Sequence, residues 1–159
     1  MSITSVDTDF DNLTITLIAD FDAPIDRVWE LWSDPPKLER WWGPPTDPAT
    51  VEKHLSPGGE VAYRMTGPEG DIHHGLWRIT AVGSPTSLEF TDAFADEDGT
   101  PIPDMPVSTV TVQLTERDGG TRMEMRLMLE SRDDMEKLLS TGVVEGLRQA
   151  VGQMDALLK

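Results

Sequence analysis

The sequence predicts an α+β domain in which an antiparallel sheet of about seven strands wraps around one long C-terminal helix, with two short helices after the first strand. Three observations predict this fold. Residues 13–21 alternate between apolar and polar side chains, as in a half-buried strand. Glycine and proline turns divide residues 46–129 into short segments, which favours an antiparallel meander. Residues 131–158 carry apolar side chains at helical spacing.

The first strand is followed by two helix signals. Pro24 suits the first position of a helix, where its missing N–H is not needed. The apolar residues of this helix recur at i, i+3, i+4 and i+7, namely Ile25, Val28, Trp29 and Trp32. The Asp34-Pro35-Pro36 segment ends that helix, and Leu38, Trp41 and Trp42 mark a second one before Gly43-Pro44-Pro45.

The last predicted strand is the clearest one in the meander. Met123, Met125, Leu127 and Leu129 lie on one face and alternate with charged residues, so one face of the sheet is predicted to be buried. Residues 96–106 contain a glycine, three prolines and four acids, which predicts a long irregular loop at the rim of the sheet.

The closing helix is predicted to start at Ser131, which precedes Asp134 as in a capping box, and to run to about Leu158. Its apolar face is predicted to pack on the sheet. Gly142 and Gly146 lie one turn apart on this helix, and each costs about 1 kcal/mol relative to alanine. Either the helix approaches the sheet closely there, or the missing side chains leave space for a ligand.

Composition limits the classes of function. The chain has 159 residues, 29 acids against 13 bases, a net charge of −16 and no cysteine. Such a charge repels phosphate backbones and anionic lipid surfaces, so we expect neither a nucleic-acid nor a membrane partner. The N-terminal residues 1–11 are acidic and carry no base, unlike a targeting segment. We therefore expect a cytoplasmic, single-domain protein over residues 1–159, with residues 1–11 as a loose lead.

An ordered set of motifs resembles the START-like (SRPBCC) superfamily, and within it the stand-alone bacterial homologues of the activator of heat-shock-protein ATPase. The motifs are Phe21-Asp22-Ala23-Pro24 with Val28-Trp29, then Trp41-Trp42-Gly43-Pro44, Pro57-Gly58-Gly59 and Gly119-Gly120-Thr121. The resemblance implies the helix-grip fold and a hydrophobic cavity between the sheet and the long helix. The family name also implies a link to chaperones and the stress response.

The predicted strand phases and the resemblance together give a set of candidate ligand-binding residues. They are Trp41, Trp42, Tyr63, His73, Trp77, Phe90, Phe94, Met105, Met125, Gly142 and Gly146. Adjacent Trp41 and Trp42 project about 100° apart on a helix, so one is expected in the core and the other at the opening of the cavity. His73 and His74 point to opposite faces of a strand and cannot bind one metal ion together.

No motif predicts a cofactor, a metal site or a catalytic residue. Asp96 and Asp98 before Gly99 match part of a calcium loop, but the positions expected for its first and last ligands hold Phe94 and Met105. The first hypothesis is a non-catalytic binding protein for a small hydrophobic or aromatic molecule. The alternatives are a module that binds a chaperone or another protein, and a cyclase- or dehydratase-like enzyme for a polyketide-like substrate. Both a monomer and a homodimer remain open.

Overall fold

A computed structural model describes residues 3–42, 49–51, 59–66, 72–98 and 100–158. The described elements, in chain order, are β1 (Ile3–Asp9), β2 (Thr14–Phe21), α1 (Ile25–Ser33), α2 (Pro35–Trp41), β3 (Ala49–Val51), β4 (Glu60–Thr66), β5 (Ile72–Gly83), β6 (Ser87–Ala95), β7 (Val107–Arg117), β8 (Gly120–Met128), α3 (Arg132–Ser140) and α4 (Val143–Leu157).

The strands form one antiparallel sheet in the order β1-β2-β8-β7-β6-β5-β4-β3. The first predicted strand, β2, pairs with the last, β8, so that Leu17 lies opposite Met125. Strands β3 to β8 form a meander, in which each strand pairs with the next one along the chain. The predicted α+β helix-grip fold is confirmed, including the two short helices between the first predicted strand and the six that follow.

One face of the sheet is buried, as the alternation predicts. In β2 every second residue, from Ile15 to Phe21, is buried, and in β8 Met123, Met125 and Leu127 face the same core. On the other face the Arg122 guanidinium donates two hydrogen bonds to the Asp20 carboxylate, at 2.8 and 2.9 Å. The inward face of the sheet is therefore the face that packs against the helices.

The N-terminal lead is not loose, which corrects the sequence-based expectation for residues 1–11. Residues 3–9 form the edge strand β1, which pairs with β2 from Ile3↔Ala19 to Asp9↔Thr14. The strand is polar and its register shifts between Ile3 and Ser5, so it lacks the clean period of two that identified β2. Pairing with the β2 backbone holds this segment in the sheet, and Ile3 and Val6 pack against the core.

The C-terminal segment is two helices rather than the single helix that was predicted. Ser131 caps α3 as expected, accepting a hydrogen bond from the Asp134 N–H at 3.1 Å. The break falls at Gly142, which has a left-handed φ of 83°. The Thr141 and Gly142 N–H groups donate to the Leu138 and Leu139 carbonyls, which ends α3 in the manner of a glycine cap.

Helices α1 and α2 close one end of the sheet with a group of tryptophans. Trp32 and Trp41 are fully buried, and their rings meet edge to face at a centroid distance of 4.7 Å. The Trp41 indole N–H donates to the Leu31 carbonyl at 2.7 Å. The Gln153 side chain of α4 donates to the Trp41 carbonyl at 3.2 Å, so α2 and α4 are fixed to each other.

No helix within the described ranges is both long and apolar enough to cross a membrane.

Candidate functional site

A cavity of about 260 Å³ lies between the inward face of the sheet and the helices α3 and α4. Strands β4 to β8 form one wall, α3 and α4 form the other, and Trp42 at the end of α2 closes one side. The lining is Trp42, Tyr63, His74, Asp92, Ala93, Phe94, Pro106, Ser108, Val110, Met125, Leu127, Leu138, Thr141, Gly142, Val143, Gly146, Leu147 and Ala150. Most of these side chains are apolar, which suits an apolar occupant.

The helical wall owes its open space to glycine. A Cβ atom added at Gly146 would meet no other atom within 4 Å, and the same is true at Gly142. Of the two alternatives for these glycines, the geometry therefore supports open space and not close packing. Gly142 also has the positive φ that ends α3, so it serves the chain path as well.

The main polar feature of the cavity is a pair formed by Asp92 of β6 and Tyr63 of β4. The Tyr63 hydroxyl donates a hydrogen bond of 2.9 Å to Asp92 Oδ1. Both residues keep some accessible surface because they line the cavity, while protein surrounds them elsewhere. Burial raises the pKa of Asp92 to about 7, although the Tyr63 hydroxyl and the Trp77 indole both oppose the rise.

Tyr63 remains protonated. Burial first, and the nearby Asp92 carboxylate second, raise the pKa of its hydroxyl well above the usual value. At neutral pH the pair thus consists of a hydrogen-bond donor that does not ionise and a carboxyl group that is close to its titration midpoint. Such a carboxyl group can either accept or donate a hydrogen bond.

Gly75 of β5 makes this pair possible. The strand register places Tyr63 opposite Gly75 and Asp92 opposite Trp77. A Cβ atom at position 75 would lie 2.0 Å from Cζ of the tyrosine ring, so the ring rests directly on the glycine backbone. Without a side chain between them, the hydroxyl reaches across β5 to β6.

Two indole N–H groups next to this pair have no hydrogen-bond partner in the part of the chain that is described. They belong to Trp42, which is 7 % exposed, and Trp77, which is fully buried. Both lie close enough to the Tyr63 hydroxyl to lower its pKa, but neither meets hydrogen-bond geometry with it. Both N–H groups are enclosed by protein beside the pair, so they act on Asp92 and Tyr63 from within the core and do not reach a ligand in the cavity.

The structure brings six of the predicted site residues to the cavity wall, which are Trp42, Tyr63, Phe94, Met125, Gly142 and Gly146. Trp41, Trp77 and Phe90 lie in the core behind it, with Trp77 and Phe90 stacked at 4.0 Å. Met105 is half-buried in the loop before β7, where its neighbour Pro106 lines the cavity instead. The backbone of His73 lies in β5 opposite Met65, and its side chain lies outside the described residues.

Asp92 is the acid among the lining residues that the sequence analysis did not name, and His74 lines the cavity where His73 was predicted. Phe90 and Phe94 were named as candidates, and Asp92 lies between them on the same face of the strand, because side chains repeat every second residue. An acid on the same face of a strand as aromatic core residues is rare, so the sequence alone could have identified Asp92 as a candidate. Within the described ranges no group of three or more acidic or histidine residues could hold a metal ion.

Comparison with known proteins identifies the family and the fold of this chain. The family model for "Activator of Hsp90 ATPase homolog 1-like protein" matches residues 22–159. Protein Ms6760 from Mycobacterium smegmatis is 49% identical with a TM-score of 0.93, over 99% of this chain and 97% of that one. A protein from Arthrobacter aurescens is 46% identical with a TM-score of 0.94, over 99% of this chain and 92% of that one.

A more distant structural neighbour is DynU16, a protein of the dynemicin biosynthetic locus. It is 20% identical with a TM-score of 0.67, over 92% of this chain and 47% of that one, which is a likeness of fold. No curated protein matches the sequence. The chain belongs to the family of activator of Hsp90 ATPase homolog 1-like proteins. Membership of this family is evidence for a ligand-binding fold.

Proposed function

We propose that the domain binds a small, mainly apolar molecule in the cavity between the sheet and the helices α3 and α4, and that it holds this molecule without transforming it. The observation that carries the proposal is the open space at Gly146 on an otherwise apolar wall. A volume of about 260 Å³ lies just below the range of roughly 300–1,000 Å³ that is usual for ligand pockets, so the ligand is small.

Two substitutions on one helix test the proposal. Gly146→Leu places a side chain in the cavity, whereas Gly152→Leu places the same side chain on the exposed face of α4, where a Cβ atom also meets nothing within 4 Å. Both changes remove a glycine from a helix, so both are expected to raise helix stability by a similar amount, about 1 kcal/mol or less.

The ligand probe is N-phenylnaphthylamine, whose emission rises in apolar surroundings. The parent protein and Gly152→Leu are expected to bind it, and Gly146→Leu is expected to lose most of that binding while it melts no lower than the parent. Equal binding by all three proteins would count against this cavity as the site. A large fall in the melting temperature of Gly146→Leu would instead indicate close packing at that position.

The Asp92–Tyr63 pair favours a second candidate, a cyclase- or dehydratase-like enzyme. An acid whose pKa is about 7 can move a proton at neutral pH. In a dehydration, the Asp92 carboxylate would take a proton from the carbon next to the ketone and return it to the β-hydroxyl group, which leaves as water as the carbon–carbon double bond forms. Incubation with a β-hydroxyketone of polyketide type and mass spectrometry tests this: loss of water with the parent protein but not with Asp92→Asn would favour the enzyme.

The family description supports a third candidate, a module that binds a chaperone or another protein. Its acidic surface would attract a basic partner over about one Debye length. A salt-sensitive complex with a purified Hsp90-type chaperone is expected under this candidate, and absence of the complex at low ionic strength would exclude it for that chaperone.

A further inference from the structure

The polar end of the cavity has a hydrogen-bonding pattern that a ligand has to match. At this end lies the Asp92 carboxylate, whose Oδ1 accepts from Tyr63. Asp92 lines the cavity, and a carboxylate can accept several hydrogen bonds. An ionised carboxylate can only accept, so the ligand group that meets it has to be a donor.

A hydroxyl group on the ligand supplies such a donor. Its proton can be donated to the Asp92 carboxylate in addition to the hydrogen bond from Tyr63. A purely apolar ligand covers the carboxylate without giving it a donor, and a carbonyl oxygen has no proton to donate. Leaving buried polar groups unpaired is costly, so the pattern discriminates among apolar ligands.

We infer that the Asp92–Tyr63 pair on the cavity wall forms a subsite for a hydroxyl group, so that the cavity takes small aromatic or alicyclic alcohols and phenols. The inference rests on the proposed binding function. Apolar side chains on both walls of the cavity, including Val110 and Met125 on the sheet and Leu147 on α4, take the hydrocarbon part of the ligand.

The aromatic neighbourhood fits a flat ring. The Trp42 ring meets the Tyr63 ring edge to face at a centroid distance of 5.8 Å and the Trp77 ring at 4.8 Å. Trp42 and Trp77 both pack on the Tyr63 ring and hold it in place before a ligand arrives, so that little side-chain entropy is lost on binding. The hydroxyl subsite is therefore preorganised.

A matched pair of compounds tests the inference: naphthol and methylnaphthalene, which have the same ring system and differ by a hydroxyl in place of a methyl. In a wholly apolar cavity methylnaphthalene binds more tightly, because the hydroxyl of naphthol has to leave water. At pH 8, where Asp92 is mostly ionised, we expect the parent protein to bind naphthol about tenfold more tightly than methylnaphthalene. Titration followed by NMR measures both affinities.

Asp92→Leu removes the acceptor and is expected to reverse the preference, so that methylnaphthalene binds more tightly. Should this variant not fold, Asp92→Asn keeps the shape and is expected to narrow the preference to less than about threefold, because a neutral acceptor binds a hydroxyl more weakly. The control is Thr111→Val, which removes a hydroxyl from β7 at a position that lies between the buried Val110 and Val112 and does not line the cavity. Its preference should equal that of the parent.

The outcomes separate the two proposals. If methylnaphthalene binds the parent protein as tightly as naphthol or more tightly, the hydroxyl subsite is wrong and the cavity remains a ligand site. A preference for naphthol that survives in both Asp92 variants also overturns the subsite. If neither compound binds the parent, the proposed binding function fails and the subsite fails with it.

Discussion

At the scale of single residues, Asp92 is an acid that is placed where the strand pattern requires an apolar side chain. Phe90 and Phe94 flank it on the same face, and its direct neighbours across the sheet are Trp77 and Ser108. Burying a carboxyl group there is costly, and the hydrogen bond from Tyr63, with the nearby Trp77 indole, recovers only part of the cost. Such a residue is more readily explained by binding than by stability.

The stability of the protein should therefore depend on Asp92 and pH together. Burial raises the pKa of Asp92 from 3.8 to about 7, so the folded state binds the extra proton between these values. Stability from this group is full below about pH 4 and is lost as the pH rises through about 7. The loss is at most on the order of 4 kcal/mol.

Asp92→Asn removes this titration. We expect the free energy of unfolding of the variant, relative to the parent, to be more favourable at pH 8 than at pH 5, as measured by urea denaturation at both values. Taking the difference cancels the carboxylates with lowered pKa, such as Asp20, which act in the opposite direction at acid pH and are present in both proteins. A difference that does not change with pH would show that Asp92 is ionised in the folded state throughout.

A second prediction concerns the glycine under the tyrosine ring. Gly75→Ala should cost about 1–3 kcal/mol, because the new Cβ atom would lie 2.0 Å from the Tyr63 ring and force it from its place. In a Tyr63→Ala background the same change should cost much less, since the ring is gone. A double-mutant cycle of unfolding free energies measures the coupling, and equal costs in the two backgrounds would contradict the contact.

At the scale of helices and strands, the sequence predicted the elements that have one clear period. Strands β2 and β8 alternate cleanly, and the positions of Val28, Trp29 and Trp32 fix the inner face of α1. The edge strand β1 was not predicted because its apolar residues do not alternate cleanly along the strand. Its place in the sheet is set by pairing with β2, which is a tertiary contact.

The break between α3 and α4 was not predicted, for a different reason. The apolar spacing continues across it, since Met135, Leu138 and Leu147 all face inward, and periodicity alone cannot detect a turn that preserves the face. The signal was local: a glycine after Ser140-Thr141 is a typical helix end. At the site, alternation located Tyr63 and Phe94, but the partnership of Tyr63 with Asp92 depends on a sheet register that the sequence does not specify.

Two glycines in the same region should respond in opposite directions to alanine. Gly142→Ala should destabilise the protein by about 1 kcal/mol, because φ at this position is 83° and a Cβ atom strains that conformation. Gly152→Ala should stabilise it by up to about 1 kcal/mol, because Gly152 lies within α4. Neither new Cβ atom meets another atom within 4 Å, so packing does not differ between the two. Thermal denaturation measures both, and a stabilising Gly142→Ala would contradict the helix break.

At the scale of the whole molecule, the dominant property is charge. With 29 acids and 13 bases, repulsive pairs outnumber attractive ones, and the resolved ion pairs lie on the surface, where each contributes little. Self-repulsion across a compact surface destabilises the folded state relative to the expanded chain. This cost is separate from the buried charge of Asp92, because surface charges are screened by salt and buried ones much less.

Salt should therefore stabilise this protein at neutral pH. Between about 20 and 500 mM NaCl the Debye length falls from roughly 20 Å to roughly 4 Å, which removes most of the repulsion between separated acids. The free energy of unfolding at pH 8 is expected to rise over this range, although the attractive pair of Asp20 and Arg122 weakens slightly. The control is the same titration at the isoelectric point of about pH 4.3, where the net charge is close to zero and the salt effect should shrink. A salt effect of the same size at both pH values would point to general salting-out of apolar surface, and no effect at pH 8 would mean that the acids are too far apart in the folded protein to repel one another.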